Sequence, residues 1–370
     1  MSGIYLHVPF CKQACHYCNF HFSTSQKYRK EVVDAMVREL ELRQNYLETA
    51  PLQSIYFGGG TPSILQPDEL ACLFAKIEEL FEIAPEAEIT LEANPDDLSP
   101  ERLAFFRDSR INRLSIGIQS FADEDLKFMN RAHNAEEASR CIDLARAYGF
   151  DNLTVDLIYG TPTMDDTQWA QNVERVLAHD IPHISCYCLT VEPQTALDHF
   201  VRSGKAQAVD EAQAERQLVY LMERLERAGY EHYEISNFAR PGHYAVHNSA
   251  YWLGKPYLGI GPGAHSYDGR SRQWNVANNA KYRKVLVEDQ VPFEKEVLTE
   301  EQSYNEYVLT RLRTHWGVVP EDLPSGYRDY FLKQIQPYLQ GGQVKISEGS
   351  YLLTKAGKLL ADRIAVELFC

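Results

Sequence analysis

The sequence predicts an α/β protein: a partial (β/α)6 barrel followed by a small C-terminal helical, winged-helix-like domain. Three observations support this. Short apolar or alternating runs recur, each followed by a longer stretch of helical periodicity. Glycine stands where two of those helices should stop, at Gly149 and Gly229. Polar and glycine residues collect at the C-terminal end of nearly every run, which in a (β/α) barrel is the face that carries the site. Alternating β and α segments argue for a parallel sheet with helices packed outside, a doubly wound sheet being the alternative.

In chain order the strand runs are IYLHV (4–8), SIYF (54–57), EITLEAN (88–94), RLSIGIQ (113–119), LTVDLIYG (153–160) and HISCYCL (183–189), with YEHYEIS (230–236) as a candidate seventh. Helical stretches fall at 25–48, 67–82, 135–148, 165–178 and 210–228. After about residue 240 the style changes. ARPGHYAVHNSAYWLGKPYLGIGPGAHSYDG is rich in glycine, aromatics and histidine and has little periodicity, as expected of a segment that packs over a site or binds something. From about 297 the chain reads as helical again, then as a hairpin in GQVKISEGSYLLT and a last helix at 355–368. The expected units are therefore 1–240, 241–296 and 297–370.

Composition narrows the function. The 370 residues carry a net charge of −15, which disfavours non-specific attachment to nucleic acid or anionic lipid. The winged-helix-like end invites a DNA-binding reading, but no basic recognition helix accompanies it, and a packing or interaction role is expected instead. Eight cysteines are too sparse for a disulfide scaffold, and their clustering suggests metal binding in a reducing compartment. No apolar run approaches bilayer length and no signal-peptide pattern opens the chain, so the expected location is the cytoplasm.

The sharpest motif is CKQACHYCNF (11–20), with Cys11, Cys15 and Cys18 in a C-x3-C-x2-C spacing directly after the first strand. Cysteine thiolates bind zinc or iron–sulfur clusters. A structural zinc site would need His16 or His21 as fourth ligand, and zinc motifs usually come as two separated pairs. Three cysteines in one short loop suit a cubane in which one iron stays open.

This motif, with Tyr17 before the third cysteine, resembles the radical S-adenosylmethionine (SAM) superfamily. The stretches YFGGGTPS, LEANPDDL, RLSIGIQSF, NRAHN and DLIYGTP extend the resemblance to the oxygen-independent coproporphyrinogen oxidase-like family over nearly the whole chain. The resemblance implies a [4Fe-4S] cluster on Cys11, Cys15 and Cys18 whose open iron takes SAM. It implies SAM contacts at Tyr5, Gly59, Gly60, Thr61, Glu92, Gln119, Arg131 and Asp156. The residue types suit those roles: glycine lets backbone N–H groups approach a ligand, Gln119 can donate and accept, and Arg131 can pair with a carboxylate.

Within that family the sequence departs from the oxidase. Phe20 stands where the oxidase has a further cysteine, the first strand begins at residue 4 without the oxidase's N-terminal extension, and HNSAYW (247–252) matches an H-N-x-x-Y-W pattern of the heme chaperone branch. A neutral imidazole at His247 suits heme iron, and Tyr251 and Trp252 offer flat apolar surface. His243, His265, Cys186 and Cys188 are rival ligands, the two cysteines expected on opposite faces of one strand. The resemblance implies binding of heme and its transfer to an apoprotein acceptor, which could be respiratory and membrane-associated, and a homodimer is a further candidate assembly. Nucleic acid is not an expected partner. Oxygen-independent coproporphyrinogen oxidation is the alternative activity.

Overall fold

A computed structural model describes residues 2–47 and 50–370. Strands β1 (Gly3–Val8), β2 (Leu52–Gly59), β3 (Ile83–Ala93), β4 (Arg113–Gln119), β5 (Leu153–Tyr159) and β6 (His183–Cys188) pair in chain order, every neighbour parallel. Helices Arg29–Leu42, Pro67–Leu80, Pro100–Asp108, Ala135–Ala147 and Asp166–Ala178 make the crossovers, and Glu211–Arg227 follows β6. All six strands lie where the sequence runs place them. Gly149 and Gly229 have φ of +82° and +83°, the left-handed geometry that ends a helix. Asn134 and Asp165 start their helices with reciprocal capping boxes to Glu137 and Gln168.

The sheet does not close. Beyond β6 it adds β7 (Glu231–Glu234) and β8 (Asn237–Ala239), with β8 antiparallel to β6. Beyond β1 it adds β9 (Tyr257–Ile260), parallel to β1, then β10 (His265–Tyr267), β11 (Ser271–Asn275) and β12 (Phe293–Val297) in antiparallel order. The twelve strands form one sheet with β7 and β12 at its edges. The segment after 240, which has little periodicity in sequence, thus supplies four strands of three to five residues, too short for a period of two to register. Gly259 permits the tight β9–β10 turn-back, since a Cβ there would lie 1.9 Å from the carbonyl oxygen of His265.

Side chains alternate strictly along the parallel strands. One face carries Ile4, Leu6, Ile55, Phe57, Leu91, Leu114, Ile116, Val155 and Ile184, all within the main apolar core against the helices. The other face, lining the barrel, carries Tyr5, His7, Ser54, Tyr56, Glu88, Thr90, Glu92, Arg113, Ser115, Thr154, Asp156, His183 and Ser185. Cys186 and Cys188 are two residues apart and therefore share the outer face, both packed in the main core, which corrects the expectation of opposite faces. A second core, built from Tyr304, Val308, Leu312, Phe331, Ile335, Ile364 and Leu368, unites the C-terminal helices with the hairpin β13 (Val344–Ser347) and β14 (Ser350–Leu353). Its last helix is broken into Lys355–Lys358 and Ala361–Glu367.

The strands added beyond β1 are fastened by a buried carboxylate. Glu39 has no exposed surface. It pairs with Arg43 at 3.1 Å and accepts from the Gly261 amide at 2.9 Å, Asn275 Nδ2 at 2.8 Å and the Tyr282 hydroxyl. Arg43 in turn donates to Gly259 O, Ser266 Oγ and Gln273 Oε1. The helix expected to run to residue 48 ends at Leu42, where Arg43 turns into this network. Removing one member of a satisfied buried ion pair leaves the other uncompensated. Glu39→Ala is expected to lower stability by about 3–5 kcal/mol, read from the urea midpoint, whereas joint replacement of Glu39 and Arg43 by Leu and Met should cost less.

Candidate functional site

The loop after β1 carries Cys11, Cys15 and Cys18, all free thiols and all half-buried. Its backbone is tied down on both sides. The Cys11 amide donates to Ser23 O and the His16 amide to Met129 O, each at 3.1 Å. Lys12 reaches Asp96 at 2.9 Å and also pairs with Asp97. Burial pushes the Cys11 thiol up to about 11 and raises Cys18 as well, so bringing a metal here displaces protons. Of the candidate fourth zinc ligands, His16 donates from Nδ1 to Phe128 O and His21 from Nε2 to Asn279 Oδ1. Among the described residues no three His, Cys, Asp or Glu side chains converge closely enough to grip a single ion.

Five residues singled out in sequence meet around this loop. Arg131 Nη1 donates to Cys15 Sγ at 3.2 Å, and its Nη2 donates to Asn94 Oδ1 at 2.6 Å and Gly117 O at 2.7 Å. Its Nε is buried without a hydrogen-bond partner among the described residues. Gln119 ends β4 with φ +66°, a left-handed turn at a buried non-glycine residue that redirects its side chain at the strand end. The glycine loop packs against the cysteine loop. The Gly60 amide donates to Val8 O and the Thr61 amide to Phe10 O, so these N–H groups are spent on the cysteine-bearing segment rather than free for a ligand. A Cβ on Gly60 would lie 2.7 Å from Phe10 O, and Gly59, at φ +107°, lies against the His7 ring. The close approach that glycine permits is thus between two backbone segments.

Tyr5, Glu92 and Asp156 stand deeper in the barrel. The Tyr5 hydroxyl meets His7 Nδ1 at 3.1 Å, and His7 Nε2 meets the carbonyl of His21 at 2.9 Å. A carbonyl only accepts, so the proton of His7 is on Nε2 and Nδ1 accepts from Tyr5. Tyr56 donates to Glu92 Oε1 at 2.8 Å. Burial pushes the Glu92 carboxyl up to about 7, with the charge of Asp156 adding to the effect, and burial pushes Asp156 up to about 6. Below them lies a polar cavity of about 50 Å³ lined by Thr90, Arg113, Ser115, Thr154, His183 and Asn248 among others.

His247 is not part of the cysteine end. It lies at the opposite mouth of the barrel, beside the first residues of the strands. Its Nδ1 meets Ser54 Oγ at 2.9 Å, its amide donates to Glu88 Oε1 at 3.1 Å, and a Cβ on Gly3 would lie 3.3 Å from its ring. Glu88 is held by Arg113 at 3.3 Å and faces the first turn of the helix Val246–Trp252, where a carboxylate is favoured by the helix dipole. The His247 ring packs 5.0 Å from Tyr56, its Nε2 has no hydrogen bond among the described residues, and burial lowers its pKa to about 4, so the imidazole is neutral at pH 7. Tyr251 is 47% exposed beside Trp252. Among the rivals, His243 is exposed, and His265 belongs to the other mouth, near His7.

The inward polar residues Ser54, Tyr56, Glu88, Arg113 and His183 were missed from sequence. The available signal was the polar member at every second position of EITLEAN and RLSIGIQ.

Comparison with known proteins agrees with this layout. Residues 5–176 match the radical SAM superfamily. The chain is 35% identical to the heme chaperone HemW of Mycobacterium tuberculosis strain H37Rv, covering 98% of this chain and 93% of that protein. It is 33% identical to the heme chaperone HemW of Bacillus subtilis, covering 98% of each. The fold is similar to that of coproporphyrinogen III oxidase (HemN) from Escherichia coli, a radical SAM enzyme, with a TM-score of 0.85, 24% identity and coverage of 100% of this chain and 90% of that one.

The buried carboxyls carry a pH signature. With pKa values raised on folding, these two carboxyls keep protons in the native chain that the unfolded chain has released above pH 4.5, so their contribution to stability falls as pH rises towards 7, while buried His7, His133 and His247, whose pKa values are lowered, contribute in the opposite sense. In cofactor-free protein, the denaturant midpoint of Glu92→Gln relative to wild type should therefore rise as pH is taken from 4.5 to 7.

Proposed function

Since the chain belongs to the HemW family of heme chaperones within the radical SAM superfamily, we propose that it binds heme and passes it to an acceptor protein, and that it does so with a SAM-liganded [4Fe-4S] cluster at the other mouth of its barrel. Within the chain, the observation that carries the reading is His247. It is a neutral imidazole at a barrel mouth with one nitrogen held by Ser54 and the other left without a protein partner. That arrangement suits an axial ligand, because the hydrogen bond on one nitrogen sets the tautomer and aim of the other.

The residues at the opposite mouth fit the cluster and SAM. Cys11, Cys15 and Cys18 would hold three iron corners as thiolates, and Arg131, against Cys15, offsets the negative charge they bring. When bound, the cluster and SAM supply one-electron chemistry. The unpartnered Nε of Arg131 can receive a carboxylate, and Glu92 and Asp156 can receive an ammonium or ribose hydroxyls. A cationic ligand there favours the ionised form of both carboxyls, opposing the burial that raises their pKa values. Gln119, Tyr5, Gly59, Gly60 and Thr61 shape the same end, the last two through the backbone bonds that hold the cysteine loop.

For the cargo, His247 Nε2 would take the heme iron while Tyr251 and Trp252 offer ring surface to the macrocycle. In this reading residues 1–240 carry the cluster and SAM, 241–296 carry the heme motif and 297–370 pack alongside. No helix among the described residues is long and apolar enough to cross a membrane, so delivery to a membrane-associated respiratory acceptor would proceed by transient docking from the cytoplasm. Phe20, 67% exposed beside the cysteine loop, separates the chain from the oxidase branch, which carries a cysteine at that position.

Two substitutions test the two ends separately. His247→Ala should weaken heme binding and alter the heme absorbance while cluster iron content stays at the wild-type level; unchanged heme spectra and affinity would move the ligand elsewhere. Arg131→Ala should weaken SAM binding by about 1.5–3 kcal/mol, the worth of a charged hydrogen bond, as read by titration. Anaerobic incubation of reconstituted protein with SAM, a reductant and coproporphyrinogen III should give no protoporphyrinogen IX; its formation would establish the oxidase reading.

A further inference from the structure

We propose that Asn130 is a positioning residue for the cluster: its side chain, set by a left-handed backbone, holds the cysteine loop in ligand-bearing shape before iron arrives. The inference rests on the reading of Cys11, Cys15 and Cys18 as cluster ligands and goes further, because it assigns the order of the loop to a residue outside it.

Asn130 has φ +57°, in a region that non-glycine residues seldom occupy and asparagine tolerates best. Backbone geometry alone would be met by glycine. What glycine would lack is a side chain that grips the loop twice. Asn130 Nδ2 donates to the carbonyl of Ala14 at 2.7 Å, and Asn130 Oδ1 accepts from Gln13 Nε2 at 2.9 Å. The same Gln13 amide also donates to Asn130 O at 3.0 Å. The residues on either side act in concert: Met129 O accepts from the His16 amide at 3.1 Å, and Arg131 donates to Cys15 Sγ at 3.2 Å. Four consecutive loop residues, 13 to 16, are thus fastened to three consecutive residues after β4. The left-handed turn at Asn130 brings this carbonyl and this guanidinium to the same loop.

The physical need is entropic. The loop between Phe10 and Ser23 has no helix or strand of its own beyond an isolated bridge joining those two residues. Ordering a free residue when a ligand binds costs conformational entropy. Bonds already made in the cluster-free chain remove part of that cost from binding. They also keep Cys15 Sγ against Arg131.

Asn130→Gly keeps the left-handed backbone and deletes both side-chain bonds. Asn130→Asp keeps the acceptor for Gln13 and loses the donor to Ala14. Wild type, both variants and a Cys15→Ala control are reconstituted anaerobically with iron and sulfide. Cluster retention against a competing iron chelator is followed by absorbance and iron content, the reduced-cluster EPR spectrum is recorded, and the thermal midpoint of each cluster-free protein is measured. Asn130→Gly should hold its cluster about 10–100-fold more weakly, as loss of an outer-sphere partner does, with a wild-type midpoint when cluster-free. Asn130→Asp should fall between it and wild type. Wild-type retention and EPR in Asn130→Gly would overturn the inference. So would a cluster-free midpoint that falls in step with retention, because the residue would then serve the fold alone. A wild-type chain that takes up no cluster would overturn the cysteine reading itself, and the inference with it.

Discussion

Everything in this protein depends on six strands pairing in parallel and in chain order. Parallel pairing sends every strand's C-terminal end to one mouth of the barrel and every N-terminal end to the other. The cysteine loop, the glycine loop, Glu92, Gln119 and Arg131 gather near one mouth because each follows or ends a strand. The helix Val246–Trp252 closes on the other mouth against Ser54 and Glu88, which sit early in theirs. The heme reading and the cluster reading therefore occupy opposite ends of one lumen.

That lumen is unusual for a parallel sheet, whose strands are commonly apolar on both faces. Here the outer face is apolar and the inner face is a mesh of hydroxyls, carboxyls, imidazoles and one guanidinium. Burying such groups is tolerable only when they bond to one another. Arg113 is 2% exposed, and it meets Glu88, Asn152 and Thr154. His183 meets Thr154 and Tyr233. Tyr56 touches both ends of the system, its hydroxyl on Glu92 and its ring against His247. Burial raises the carboxyl pKa values because little water reaches them, and the polar lining opposes it through Tyr56 on Glu92 and Ser185 and Arg113 on Asp156.

Much of this was legible in the residues. The β/α alternation, the helix stops at Gly149 and Gly229, and the three-cysteine loop were readable because each is a local signal within about twenty residues. The glycine loop was legible as a close approach, but the sequence does not say what approaches: a Cβ on Gly60 would meet the Phe10 backbone. The strands β9 to β12 were invisible because runs of three to five residues carry too little periodicity, and β9 is a strand only because β1 lies beside it. The anchor Glu39–Arg43 reads in sequence as an ordinary i, i+4 surface pair on a helix. Its burial depends on Asn275 and Tyr282, more than two hundred residues away.

By itself, the sequence determined the barrel, the thiol triad, the family resemblance and the chemical types gathered at the strand ends. These are set by spacing along the chain, and spacing survives without any knowledge of contacts. Only the tertiary structure decided that His247 lies across the barrel from the cysteines. Only it showed that Asn130 reaches back over a hundred residues to hold Ala14 and Gln13, and that Glu92 and Asp156 share one poorly hydrated interior. Each of these is a matter of which groups exclude water from one another, and that is settled by the pairing of the whole sheet rather than by any one segment.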